Sequence, residues 1–398
     1  MDFELTEDQK LLQQAVREFA AKEFTLELGR KCEETGEYPW ELLRKCGKQG
    51  YLGMMWPPEY GGQGLSFLDS MIVLHELARA EPTLATALIV GSIFGADNIN
   101  FFGTHEQKAE WLPRLARGEI LSCGCFTEPA GGSDISRVLD TKAMKDERGW
   151  VISGTKTFIT NGTVASVFVV LAQTDPSAVP PYKGQTQFVI GKCAEIEAHP
   201  LGRKMGFHML PTAEVLFNNV RATDRDILGG PKNLNRGFYL TLQFLDFMRI
   251  ELAFAALGTA EAALDQAIRY SNERTAFGRK ISGFQALAHR IVDIAIKVEL
   301  AKNLCYKGAW LAERARKDPS LLDESIKLAS MAKVYATHTG FEACDLAIDV
   351  MGGYGYVESD VERWFRFVKY LEIVEGTKEI QRNTIARYVL GKEAAKYF

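Results

Sequence analysis

The hydrophobic spacing of this chain changes period twice, and that change constrains the fold more than any single motif. From the N-terminus to about residue 120 apolar residues recur at helical spacing, from about 121 to 230 they alternate, and after Gly237 they return to helical spacing in long stretches. A helix, sheet, helix order is uncommon. It predicts an α+β multidomain protein with an N-terminal helical domain over residues 1–120, a middle β domain over 121–232 and a C-terminal helical bundle over 233–398.

The first part opens with Thr6 as a helix N-cap and Gln9 three residues on, a capping-box pattern ahead of Leu11, Leu12, Val16 and Phe19. Further helices are expected over Trp40 to Cys46, Phe67 to Ala80, Leu84 to Phe102 and Glu106 to Ala116, with a proline- and glycine-rich loop from Pro57 to Gly62. In the second part Leu139 to Met144 and Trp150 to Phe158 flank a polar turn at Glu147-Arg148-Gly149. Short β-branched runs follow at Val167 to Ala172, Thr186 to Ile190 and Ala213 to Phe217, and Thr174 to Gly184 reads as a surface loop. The last part shows long helical patterns over Phe238 to Ser271, Phe284 to Arg316 and Asp323 to Val350, then a shorter one over Thr377 to Leu390. Uncapped patterns beyond about 25 residues point to a bundle or a coiled coil.

Composition excludes several function classes. The formal net charge is -4 with acids and bases interspersed, so no nucleic-acid or anionic-membrane surface is expected. No apolar run is long enough to span a bilayer. Seven scattered cysteines suit a reducing compartment, and the opening Met-Asp-Phe-Glu-Leu lacks a basic and an apolar leader region, so cytoplasmic residence is expected. Cys123 and Cys125 form a C-x-C pair within a strand pattern, which lacks the spacing of zinc sites; buried thiols and no metal site are expected.

The segment Ile373-Val374-Glu375-Gly376-Thr377 sets one carboxylate behind two apolar residues, just where a new helix begins. Glu375 has two readings. Apolar neighbours raise a carboxyl pKa toward the range of a proton acceptor while Gly376 lets backbone or ligand come close, or the charge simply complements the helix dipole. The loop from Phe126 to Asp134, with Thr127, Gly131, Gly132 and Ser133, could approach an anionic or heteroaromatic ligand, or be an ordinary glycine-serine connection. Phe158 and Thr160 offer a ring and a hydroxyl two residues apart, for a flat cofactor or for the core. Arg274, Phe277 and Gln285 stand where one long helix ends and the next begins, and Gly352 and Gly353 end another; each is weak alone. Asp246 and Arg249, one helical turn apart, read as a surface pair or as a polar patch facing a ligand, and spacing alone favours the surface pair.

Taken in order, these segments resemble the acyl-CoA dehydrogenase family of flavoproteins over essentially the whole chain. The Thr-Glu-Pro loop at 127, Phe-Ile-Thr-Asn-Gly at 158, Arg-x-x-Phe-Gly at 274, Gly-Gly-Tyr-Gly-Tyr at 352 and Glu-Gly-Thr-x-x-Ile-Gln-Arg at 375 carry the resemblance. It implies a β-barrel-like middle domain, a C-terminal four-helix bundle, a homotetramer and FAD lying between domains and across a subunit interface. Phe126, Thr127, Ser133, Phe158 and Thr160 would hold the flavin and its ribityl pyrophosphate. Arg274, Phe277, Gln285, Gly352, Gly353, Thr377 and Glu379 would meet the adenosine and phosphate end, and Ser133, Asp246, Arg249 and Gly376 the thioester. Glu375 would remove the α-proton of an acyl-CoA while flavin N5 accepts the β-hydride, with electrons passed to an electron-transfer flavoprotein.

Two departures from the family pattern stand out: Val374 replaces an aromatic residue before the base, and Asp349 replaces a glutamine before the Gly-Gly turn. A short, branched or cyclic acyl group is expected. Ala87, Val90 and Gly91, in the region that would end the acyl pocket, present no charged partner for a dicarboxylic substrate. The alternatives are an enoyl-CoA reductase or acyl-CoA oxidase on the same fold, and a non-catalytic acyl-CoA-binding assembly partner.

Overall fold

The computed structural model describes residues 4–137, 139–357, 359–391 and 393, so the outermost residues of the two terminal domains, 1–3 and 394–398, lie outside it. The N-terminal part contains α1 (Glu7–Glu23), α2 (Leu26–Thr35), α3 (Trp40–Gln49), α4 (Phe67–Ala80), α5 (Pro82–Ala85), α6 (Ala96–Phe102) and α7 (His105–Ala116). The capping box closes as expected: Gln9 N–H donates to Thr6 Oγ1 at 3.2 Å, and Thr6 N–H donates to Gln9 Oε1 at 3.1 Å.

The single helix expected from Leu84 to Phe102 is a correction. The chain runs through α5 into a π turn at Thr86–Val90, breaks, and restarts only at Ala96. Ser92 and Thr86 hydroxyls turn back onto the Leu88 and Pro82 carbonyls, and Gly95 adopts φ 96°. A Cβ there would lie 2.7 Å from the Cys123 carbonyl, so the helix is interrupted where the first strand passes against it.

The middle part holds β1 (Ser122–Cys125), β2 (Lys142–Asp146), β3 (Gly149–Thr160), β4 (Val167–Gln173), β5 (Gln185–Gly191), β6 (Ile196–Pro200) and β7 (Thr212–Ala222). β4 pairs parallel with β1 and antiparallel with β5, while β2, β3, β7 and β6 form an antiparallel run. One pairing, Lys142 with Gln173, joins the two into a seven-stranded curled sheet. Every residue of β4 is buried, because Phe168 and Val170 face the inside of the curl while Val167, Val169 and Leu171 face the helices. The expected strand over Leu139 to Met144 begins later, at Lys142, and β6 was not anticipated.

The C-terminal part comprises α8 (Gly237–Glu273), a short β8–β9 hairpin (Thr275–Ala276 and Arg279–Lys280), α9 (Gln285–Ala315), α10 (Leu322–Met351), α11 (Gly353–Tyr356), α12 (Asp360–Leu371) and α13 (Lys378–Val389). α8, α9, α10 and α13 form the four-helix bundle. Small residues let the backbones close in: a Cβ on Gly258 of α8 would lie 2.5 Å from the Ala78 Cβ of α4. No helix among the described residues is long and apolar enough to cross a membrane.

Helix α12, also unanticipated, delivers the chain to Glu375, and a buried ionic joint holds it. Arg363 Nη1 donates to Glu81 Oε1 at 2.7 Å and to Thr83 Oγ1 at 2.8 Å, while Arg363 Nη2 donates to Asp360 at 3.0 Å. Glu81 also accepts from the Trp364 indole at 3.1 Å and from the Leu84 N–H at 2.6 Å. On the exposed side Arg30 pairs with Asp360. Removing one partner of a buried pair strands the other without water, so Glu81→Ala is expected to lower stability by about 3–5 kcal/mol. Arg30→Ala, acting on the solvent side, is expected to cost no more than about 1 kcal/mol. Denaturant midpoints of the two variants give the comparison, and equal losses would contradict it.

Candidate active site

Between α12 and α13 the chain reverses through two successive left-handed residues, Glu375 at φ 57° and Gly376 at φ 89°. A left-handed glutamate costs roughly 1–2 kcal/mol, so neighbouring groups must hold the turn. Lys333 of α10, fully buried, donates from Nζ to the Glu372 carbonyl at 3.0 Å and to the Gly376 carbonyl at 2.9 Å. Gln381, buried one turn into α13, donates from Nε2 to the Glu375 carbonyl at 3.1 Å and the Gly376 carbonyl at 3.2 Å. A Cβ at position 376 would lie 2.4 Å from that nitrogen, which is why only glycine fits. Thr377 caps α13 by accepting from the Ile380 N–H at 3.3 Å.

Glu375 is half-buried as a residue, and burial pushes its carboxyl pKa up to about 7; Arg249 and Lys333 pull it the other way. Burial in turn brings the Lys333 ammonium down to about 8, against the pull of Glu375. Arg249 corrects the expectation of a surface pair. It is buried on α8, bonded to Asp246 Oδ1 at 2.5 Å, with its Nε lacking any partner, and burial raises Asp246 to about 6. Tyr370 lies beside both Thr160 and Glu375, linking the end of β3 to the turn before α13.

The 126–134 loop is braced by residues that its glycines and hydroxyls do not advertise. Lys156 of β3 donates to Glu128 Oε1 at 2.8 Å and to the Phe126 carbonyl at 3.2 Å, and Glu128 accepts the N–H groups of Asp140 and Thr141. Phe126 is buried against Phe94 and Phe244, Thr127 is half-buried, and Ser133 is exposed. Phe158 is not core: it is left-handed at φ 58°, sits in a register shift of β3, and is 69% exposed.

A second cluster lies at the far ends of α8 and α10. Arg274, Gly352 and Gly353 line a groove of about 580 Å³ whose walls include neither the 126–134 loop nor β3. Phe277 is 95% exposed, Gln285 and Glu379 are also exposed, and a Cβ on Gly352 or Gly353 would meet nothing within 4 Å. Asp349 is paired outward with Arg290 at 2.6 Å. One chain therefore presents the candidate residues as two groups rather than one.

Sequence models of the acyl-CoA dehydrogenase N-terminal, middle and C-terminal domains match residues 6–119, 123–220 and 235–390. The chain belongs to the acyl-CoA dehydrogenase family. It is 36% identical over 97% of its length to a short-chain-specific acyl-CoA dehydrogenase of Clostridium acetobutylicum, covering 99% of that protein. It is 33% identical, over 97% of its length and 99% of the relative's, to the CarC subunit of a caffeyl-CoA reductase–Etf complex of Acetobacterium woodii. Among solved structures, a glutaryl-CoA dehydrogenase in complex with glutaryl-CoA superposes with a TM-score of 0.88 at 32% identity, covering 98% of this chain and 97% of the other. A glutaryl-CoA dehydrogenase from Mycobacterium smegmatis, in complex with FADH2, gives 0.84 at 26% identity, covering 97% and 95%.

As an acyl-CoA dehydrogenase family member the protein is an oxidoreductase with FAD as its cofactor. Its own residues fit that group: the exposed Phe158 ring offers a stacking surface, and the groove floored by Gly352 and Gly353 beside Arg274 suits an anionic end. Sequence reasoning missed Lys333, Gln381, Tyr370, Glu251 and Asp97. A charged residue inside an apolar helical run, as in Ala332-Lys333-Val334 and Ile250-Glu251-Leu252, was the available signal.

Lys333→Met leaves two turn carbonyls without their shared donor, each worth about 1–3 kcal/mol when buried. Amide hydrogen exchange across residues 372–378 is expected to speed up at least about tenfold while exchange in β4 stays as it was. Unchanged protection of the turn would show that Lys333 does not hold it.

Proposed function

We propose that this acyl-CoA dehydrogenase family member removes hydrogen across the α,β bond of a short, branched or cyclic acyl-CoA thioester, with Glu375 as the base. The observation that carries this reading is the Glu375 carboxyl, raised by burial to a pKa of about 7 and held on a strained, braced turn. An α-proton is too weakly acidic for an ordinary solvated glutamate, and a base whose pKa sits near the operating pH combines ionisation with proton affinity. Arg249 and Lys333 keep the carboxylate form populated. The Glu375 N–H, which finds no acceptor among the described residues, is free to hold the thioester oxygen as negative charge develops there. When bound, FAD supplies the two-electron acceptor for the β-hydride. Phe126, Thr127, Ser133, Phe158 and Thr160 would hold its flavin end. Arg274, Phe277, Gln285, Gly352, Gly353, Thr377 and Glu379 would hold its adenosine end, part of them from another copy, and Ser133, Asp246, Arg249 and Gly376 would face the thioester.

The division of those residues into two separate groups, with Phe277, Tyr354 and Tyr356 exposed beside the second, supports a homotetramer in which copies complete each other's sites. The Etf complex of the caffeyl-CoA reductase relative supports an electron-transfer flavoprotein as acceptor, and seven free cysteines support a cytoplasmic location. The same relative favours a second reading, the reverse reaction. A carboxyl with pKa near 7 is populated in both forms, so Glu375 could equally return a proton to the α-carbon of an enoyl-CoA.

Anaerobic addition of an accepted acyl-CoA should bleach the flavin. Glu375→Gln is expected to keep the flavin and slow bleaching by about 10²- to 10⁴-fold. Because the base works ionised, kcat/KM should rise with pH up to about 7 and level off above it. Full activity in the glutamine variant, or a rate that falls as pH rises through 7, would refute the assignment.

A further inference from the structure

A small cavity of about 20 Å³ lies between α8 and the N-terminal helices, walled by Trp56, Met71, Leu74, Ile89 and Ile93. Two acids line it among these apolar groups: Asp97, 1% exposed, and Glu251, 2% exposed. Asp97 Oδ1 accepts from the Trp56 indole at 2.5 Å, but Asp97 Oδ2 and Glu251 Oε2 have no hydrogen-bond partner. Two orphaned carboxyl oxygens facing one apolar cavity are costly, at about 1–3 kcal/mol each, unless something else completes them. The Glu375 carboxyl acts on that of Glu251 through space, and Ile89 and Ile93 of the cavity wall flank Val90 and Gly91, the stretch expected to end the acyl pocket.

We propose that the acyl group taken by this chain carries a hydroxyl that enters this cavity and bonds to Asp97 and Glu251. The inference rests on the acyl-CoA reading above and names the substrate class more narrowly. The volume holds about one water-sized group, which suits a hydroxyl and excludes a further ring. A cation is the weaker fit, because Arg249 and Lys333 stand near Glu375 and Arg316 acts on Asp97. A hydroxyl is both donor and acceptor. Burial, reinforced by Asp97 and Glu375, keeps Glu251 protonated, so it can donate to the hydroxyl oxygen while Asp97 Oδ2 accepts the hydroxyl proton. A purely hydrocarbon chain in the same place would leave both oxygens bare.

The test uses the flavin-loaded enzyme and pairs of CoA thioesters that differ only in a hydroxyl at the γ, δ or ε carbon. Binding is read from perturbation of the flavin spectrum in Glu375→Gln, and turnover from anaerobic bleaching of the unaltered enzyme. One hydroxyacyl thioester is expected to bind about ten- to hundredfold more tightly than its hydrocarbon partner. Glu251→Met, and separately Asp97→Leu, should erase that difference, and retained flavin absorbance shows that each variant is folded. Equal or tighter binding of every hydrocarbon partner overturns the hydroxyl assignment and leaves the acyl-CoA reading standing. Failure of all thioesters to bind or bleach overturns both.

Discussion

The candidate site depends on one buried ammonium. Lys333 brings a cation into the bundle core and uses it to tie the Glu372 and Gly376 carbonyls together across the turn that carries Glu375. Burying a lysine is unfavourable, which is why its pKa falls to about 8, and the two carbonyl bonds with the nearby carboxyl offset that penalty. The lysine is therefore structural and electrostatic together. It fixes where the Glu375 carboxyl stands, and its charge keeps that carboxyl from being neutralised outright by the same burial that raises its pKa.

That balance extends through α8. Arg249 and Lys333 are the cations acting on Glu375, while Asp97 and Glu375 act on Glu251, and burial raises the pKa of all three carboxyls. In such a place a group shifts its pKa rather than remaining an unpaired charge. Glu251, with no cation among the groups acting on it, is driven to its neutral form. Glu375, with two, comes to rest near neutrality. Position relative to the two cations separates the roles of carboxyls of the same chemistry.

The three-part architecture was legible because each part writes its own period: alternating strand patterns in the middle and long uncapped helices after Gly237. The turn that carries Glu375 was legible because a lone carboxylate behind apolar residues at a helix start is a local feature. The break at Gly95 was not, since it answers to the Cys123 carbonyl, nearly thirty positions away in sequence. Asp246 and Arg249 read as a surface pair because spacing reports neighbours on one helix but not which face another helix covers. Helix α12 could have been read: Val361, Trp364, Phe367, Val368 and Leu371 keep helical spacing behind the Ser359 cap, among charges that masked the pattern. Lys333 and Glu251 needed the rule that a charge inside an apolar run must find its partner elsewhere.

Backbone strain gives an independent route to the same place. Among the described residues, and apart from asparagines, which tolerate the left-handed region, the residues at positive φ that are not glycine are Phe158, Phe207, Phe277 and Glu375. Each costs roughly 1–2 kcal/mol and persists only where the surroundings enforce it. Phe207 is enforced by Glu33, which accepts its N–H at 3.0 Å, and it presses its ring on Tyr370 with centroids 5.5 Å apart, beside Thr160 and Glu375. Phe158 and Phe277 gain no burial to offset their strain in a single chain, at 69% and 95% exposed. A flat ring over Phe158 and a second copy against Phe277 are the two compensations that the proposed holoenzyme supplies.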